Sequence, residues 1–426
     1  MLMNTKIQAT LAATLLASTL LAAPASAEVL ALTGATVHPV SSDPIPDGTV
    51  LIEDGRITAV GSDIVAPPGA RIIDLDGLHL YPGFVHPASQ LGLREINSVA
   101  GTIDTAEMGS VNAALRAEVA FNHDSMLLPA SVAGGILSAH VVPGGGLIQG
   151  SSAVLELDGW SWEEMVLKAP VGMHMEFPPA AVDDENNEDL ARIEQVLDQA
   201  RHHLRASEAA RAGTAPAPMR NDQLEALAPL LRGEQPLFIR ANRYDVIEKA
   251  LDWAQDQGFE DLVLMTSPDV QYLAERLARD GIPVILQNVY ALPSRRWEPY
   301  DMAFVAAARL AEAGVQFAIS DDGNDAANAR NLPFQAGTAA AHGLDKLSAL
   351  RSVTLWPAQI LGLGDELGSI EVGKRASLFA ASGDPLEPMT RIERVWIAGA
   401  EYDLMRDPGR RAYERYRERN RQAQGR

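Results

Sequence analysis

The residues best suited to chemistry are few and scattered. Histidines stand at 86 in PGFVHPASQ, at 140 after GGILSA and at 174 in VGMHMEF, and FAISDDGN places Asp321 beside Asp322. Imidazole and carboxylate are the groups that hold a divalent metal for hydrolysis, where the cation lowers the pKa of a bound water and polarises a carbonyl. Such a site needs three or more convergent ligands, so each lone histidine reads first as a core or surface residue. His86, His140, His174, Asp321 and Asp322 qualify only if the fold brings their strand ends to one place. Hydrolysis without a metal needs a nucleophile beside a base. Ser89, Thr266 and Ser320 end apolar runs, but no G-x-S-x-G elbow surrounds any of them. The PGGG turn at 143–146 is flexible enough to shape an oxyanion site. It is a weak phosphate cradle, because no Lys-Ser/Thr follows. His202 and His203 are adjacent on a helical pattern beside Arg201 and Arg205; neighbours on a helix point in different directions, so both read as solvated.

The elements that must position these residues follow from patterning. From Val29 to Asp76 short strands alternate with turns, and Asp54-Gly55 between TVLI and ITAV is a hairpin signal. The segments SIEVGKRASLFAAS and IERVWIAGAEYD repeat that texture near the other end. Two separated strand-rich ends would pair into one small β domain. Between them, GGILSAHVV, PLFIRAN, DLVLMT, IPVILQN and VQFAIS alternate with helical stretches. DVIEKALDWAQDQG and VQYLAERLARDG have apolar spacing near 3.6 with Gly just after the end. Strand and helix in turn imply βαβ units and a parallel sheet. At this length a closed (β/α) barrel is expected, with its chemistry at the carboxyl ends of the strands.

The chain has 426 residues, 47% of them hydrophobic, and no cysteine. Disulfides, thiolate ligands and a cysteine nucleophile are therefore excluded. Residues 1–27 read as a signal peptide: Lys6, an apolar run from Ile7 to Ala22, then Ala25-Ser26-Ala27. That pattern predicts a periplasmic or secreted protein. The net charge of −21 argues against nucleic acid or an anionic membrane as the main partner.

Three segments resemble the amidohydrolase superfamily: TGATVHPV…DGTVLIEDGRITAVG at the start, DGLHLYPGFV leading into the barrel, and WPAQILGLGDELGSIEVGKRASLFAASGDPL at the close. Closest in flavour are exported imidazolonepropionase-like and prolidase-like members. The resemblance implies an α/β fold, a (β/α)8 TIM-like barrel with a small β-sandwich domain built from both chain ends. It divides the chain into the signal peptide (1–27), the small β domain (28–80 and 365–405), the barrel (81–364) and a charged tail (406–426).

The resemblance also implies hydrolysis of carbon–nitrogen bonds, in amides or cyclic amides, with zinc or another divalent metal. Its His-x-His pair, however, aligns with Ala88 and Gln90, its fifth-strand histidine with Asn242 and its sixth with Thr266. His174 or Glu176 falls near the fourth-strand position, and the eighth-strand acid survives as Asp322, beside Asp321. Alanine offers no lone pair, and a neutral amide is a poor transition-metal ligand. Asp322 is therefore the expected catalytic residue, and His86, Ala88, Gln90, His174, Asn242, Thr266 and Asp321 are pocket candidates, with no metal assigned. Two functions compete: a hydrolase working by an altered route, and a non-catalytic binding protein or partner subunit of an active homologue. A small-molecule or peptide ligand suits either, as does a homo-oligomer or a hetero-oligomer with an amidohydrolase homologue.

Overall fold

The computed structural model describes residues 29–184, 186–293, 295–321 and 326–424. The expected signal peptide and Asp322 lie outside the described residues. Among the described residues no helix is long and apolar enough to cross a membrane.

The amino end forms β1 (Leu30–Val37), β2 (Ile45–Glu53), β3 (Arg56–Gly61), β4 (Arg71–Asp74) and β5 (His79–Pro82). The middle supplies β6 (Phe84–Ser89), β7 (Ile136–Val141), β8 (Ile148–Ser151), β9 (Ala153–Glu156) and β10 (Val166–Lys168). It continues through β11 (Met173–Glu176), β12 (Leu237–Arg240), β13 (Leu262–Thr266), β14 (Val284–Gln287) and β15 (Phe317–Ser320). The carboxyl end adds β16 (Leu378–Ala381), β17 (Ile392–Ile397) and β18 (Ala400–Tyr402).

The predicted hairpin joins β2 to β3. Asp54 and Gly55 have φ of 48° and 76°, the two left-handed residues that match the twist of paired strands. Both chain ends enter one sheet, ordered β18-β17-β16-β5-β1-β2-β3 with β4 also beside β1. The ends meet where β16 runs antiparallel to β5, Leu378 opposite Pro82. Hydrogen bonds join all eight strands, so the expected sandwich is one continuous sheet. Leu32, Val50, Ile52, Leu80 and Trp396 pack as its own core.

The central strands form two sheets, β10-β9-β7-β6 and β15-β14-β13-β12-β11-β8. From β11 to β15 each strand runs parallel to the next, as the alternation of strand and helix requires. Among the described residues of these two sheets three pairs are antiparallel: β8 with β11, β9 with β7 and β10 with β9. Ser152 is the hinge between β8 and β9, its amide donating to the Gly172 carbonyl at 3.2 Å. One bent strand thus links the two sheets. At their other edges β15 lies beside β6, where Ser320 Oγ donates to the Ala88 carbonyl at 3.1 Å. The fold is α/β.

Period-two alternation sorts the side chains. Phe238, Val263, Met265 and Ile285 share an inner cluster with Val85 and Val154. Leu237, Ile239, Leu264, Val284, Leu286, Phe317 and Ile319 belong to the larger core that also takes in the helices. Burial on both faces explains why these strands read as unbroken apolar runs. The helix Tyr244–Asp256 buries Val246, Ile247, Ala250, Leu251 and Ala254, and the helix Ala274–Asp280 stops at left-handed Gly281. The polar excursion forms the helix Glu188–Arg211, with the Asn187 side chain accepting from Leu190 N. His202 is exposed there, but His203 is largely buried and 3.5 Å from Glu225. That corrects the reading of both as solvated. The charged tail is the helix Pro408–Ala423, which buries no residue.

Candidate active site

The inner side chains of the strands turn polar at their carboxyl ends. Two residues beyond inward Phe238 stands Arg240, and two beyond Ile285 stands Gln287. Arg240 reaches across β13 to donate from Nη1 to Gln287 Oε1 at 2.9 Å. Its Nε lies 3.4 Å from Glu176 Oε2, the residue opposite it in the β11–β12 register. Burial pushes the Glu176 carboxyl up more than Arg240 draws it down, so Glu176 keeps its proton more readily than an exposed glutamate. Burial also lowers Arg240, against the pull of Glu176.

On the adjoining strands His86 Nε2 lies 3.4 Å from Asp321 Oδ2, and both side chains are almost fully buried. Among the described residues His86 Nδ1 meets no hydrogen-bond partner. His140 has both ring nitrogens engaged: Nδ1 donates to the Pro87 carbonyl at 2.6 Å and Nε2 accepts from Ser152 Oγ at 2.7 Å. A carbonyl only accepts, so the proton sits on Nδ1 and the ring is neutral. Burial holds His140 down to about 4. His174 is also pushed well down by burial and stacks on Phe238 at 4.7 Å, with His140 5.5 Å away.

Surrounding loops hold this arrangement rigidly. Arg295, beyond β14, donates to Asp269 Oδ2 at 2.6 Å and also pairs with Glu298. Asp269 in turn accepts from the Tyr244 amide at 3.1 Å. The connections after β12, β13 and β14 are thereby tied together. The segment after β6 lies along β8, with Asn112 N donating to the Ile148 carbonyl at 2.7 Å. The PGGG turn is used structurally. Gly144 N donates to the Thr105 carbonyl, and Leu147 N, just past the turn, donates to the Ser110 carbonyl.

The structure brings His86 and Asp321 together, and places His174 in a separate ring cluster with His140 and Phe238. The remaining pocket candidates do other work. Ala88 packs with Val85 and Val142, and Gln90 lies near Gly144, where an added Cβ would meet its Nε2 at 2.9 Å. Thr266 is buried, its hydroxyl donating to the Ala241 carbonyl. Asn242 is exposed, and its carbonyl accepts from Ser267 Oγ. The inward alternation runs through Met265 to Ser267, so Thr266 faces away from the interior, a correction to its placement as a pocket residue. Sequence reasoning missed Arg240, Gln287 and Ser152. The available signal was a polar residue ending an apolar strand, PLFIR and IPVILQ, at the end where such folds work.

The metal implied by the resemblance does not fit the residues present. Its paired imidazoles are replaced by a packed alanine and an amide. Among the described residues no group of three or more His, Cys, Asp or Glu is placed to hold an ion.

A model described as the Amidohydrolase family matches residues 247–401. The amidohydrolase tasK of Hapsidospora irregularis is 25% identical over 410 residues, covering 84% of this chain and 40% of that protein. A 5-methylthioadenosine/S-adenosylhomocysteine deaminase of Teredinibacter turnerae is 29% identical over 124 residues, covering 24% of this chain and 28% of the other. The chain thus spans less than half the length of these curated relatives. Among solved structures, an amidohydrolase from Thermotoga maritima superposes with a TM-score of 0.80 at 28% identity, over 88% of this chain and 99% of that one. In its chain-end segments, its βα order and its overall superposition, the chain is similar to members of the amidohydrolase superfamily.

Proposed function

We propose that this protein hydrolyses carbon–nitrogen bonds of amides or cyclic amides at the carboxyl ends of β6, β11, β12, β14 and β15, by a route that does not use the family's full metal set. The observation that carries the reading is the buried His86–Asp321 pair, an imidazole within β6 and a carboxylate just past β15, 3.4 Å apart. In this reading Asp321 orients His86, and the ring passes a proton from attacking water to the leaving nitrogen. Arg240, held by Glu176 and Gln287, supplies positive charge for the developing oxyanion. The two central sheets, joined through Ser152 at one side and abutting at Ser320 and Ala88 at the other, form the barrel of residues 81–364. The exported, prolidase-like character and the periplasmic location belong to the same proposal, supported by the sequence pattern of residues 1–27 and the opening and closing segments.

The test is to purify the mature protein, measure its metal content, and assay dipeptides and cyclic amides. Turnover is expected, with kcat/KM falling about 10²–10³-fold in Asp321→Asn and in Arg240→Met. Asp322→Asn determines whether the neighbouring acid is the proton carrier. Absence of turnover across the panel, or turnover untouched by the Asp321 and Arg240 changes, refutes the reading. The competing view, a non-catalytic binding or partner subunit, gains no support from the relatives.

A further inference from the structure

A cleft of about 350 Å³ opens between the small sheet and the helix Lys346–Arg351. It is lined from β5, which leads into the amino end of β6, so it lies toward the opposite end of that strand from Asp321. One wall is a row of rings. His38 stacks on Tyr81 with centroids 4.3 Å apart and planes 12° apart, and His38 Nε2 is 2.9 Å from His79 Nδ1. That bond needs one protonated and one bare nitrogen, so the two rings cannot both be imidazolium. Burial, aided by His79, holds His38 down to about 4, leaving it uncharged at neutral pH. The floor is apolar, formed by Val40, Leu350 and Leu386.

The rim carries charge of both signs. Lys346 Nζ lies 3.2 Å from Asp384 Oδ2, with side chains 74% and 35% exposed. Asp43 adds a second carboxylate to the lining. An ion pair this open contributes little in itself, so a ligand can part it at small cost. Val40 is β-branched yet has φ of 72°, and its carbonyl is held by Arg351 Nε at 2.9 Å, which fixes this side of the cleft.

We propose that this cleft binds a free α-amino acid with an apolar side chain. The ligand carboxylate meets Lys346, its ammonium meets Asp384 with Asp43 nearby, and its side chain lies against the His38–Tyr81 wall over the apolar floor. A ligand with one charge of each sign replaces both halves of the rim pair at once. A cleft of this volume suits one small molecule. The inference is independent of the hydrolytic reading.

The experiment is calorimetric titration of the mature protein with L-phenylalanine, 3-phenylpropanoate and 2-phenylethylamine. One equivalent of phenylalanine is expected to bind, about tenfold tighter than either singly charged analogue. Lys346→Met and Asp384→Asn should each weaken it about fivefold or more, with melting temperature unchanged because the pair is exposed. No binding at millimolar ligand, equal affinity for the three compounds, or affinity retained in both variants overturns the proposal.

Discussion

Lowering the pH should destabilise this protein through His140, and the amount follows from its surroundings. The ring is fully buried and held neutral, with its pKa lowered from 6.5 to about 4. Its folded value is the depressed one, so the unfolded chain binds the proton more readily between these two values. Stability is therefore fully present above about pH 7 and is lost as the pH falls toward about 4. Each pH unit between the two is worth about 1.4 kcal/mol, so the whole window holds about 3 kcal/mol. Between about pH 7.5 and about pH 5 the expected loss is about 2 kcal/mol. Buried His174 shifts in the same direction and adds to the total, so the decisive quantity is a difference between proteins. Urea unfolding followed by circular dichroism should be measured at both pH values for wild type and His140→Gln. The variant loses the bonds to the Pro87 carbonyl and Ser152 Oγ and should start about 2 kcal/mol lower near neutral pH. Its pH dependence should be flatter by about 2 kcal/mol. Parallel losses in the two proteins would refute the assignment of His140 as a ring held neutral by burial.

Further outcomes follow from other contacts. Gly172→Ala would drive a Cβ to 2.5 Å from the Phe238 ring and 2.8 Å from the Pro236 carbonyl; a loss of about 1–3 kcal/mol is expected in urea unfolding. Arg295→Ala removes the guanidinium from buried Asp269 and Glu298. Its side chain is partly open to solvent, so the expected loss is about 2 kcal/mol, below the range for a fully buried pair, with faster hydrogen exchange in the loops after β13 and β14. Ser152→Ala removes the donor to His140 Nε2 and should cost about 1 kcal/mol, read as a lower urea midpoint.

Much of the frame was legible because local chemistry and tertiary packing agree. Asp54-Gly55 is a hairpin turn wherever it sits between apolar runs, and β12 to β15 each begin and end within the runs PLFIRAN, DLVLMT, IPVILQN and VQFAIS. The antiparallel placement of β8 and of β9 was not legible. Nothing in their sequence, IQGSSAVLE, sets strand direction, which depends on partners distant in the chain. The site was half legible. His86 and Asp321 stood out by type, but that they meet depends on β15 closing against β6. Arg240 was hidden because an arginine ending a strand reads as an ordinary surface residue until Glu176 and Gln287 are seen beside it. Thr266 was misplaced by one residue, and with a period of two one residue reverses the facing.

The pairing of Leu378 with Pro82 bears on how the molecule is made. β5 has its amino-terminal neighbour at once, since β1 precedes it, but its other edge waits until almost the whole chain has emerged. During that interval an open strand edge is a template for another copy's backbone. A nascent chain that stalls before β16 would present that edge, and the small sheet would be the last part to close. Truncation after residue 377 should accordingly give aggregates rather than a soluble chain holding the two central sheets alone.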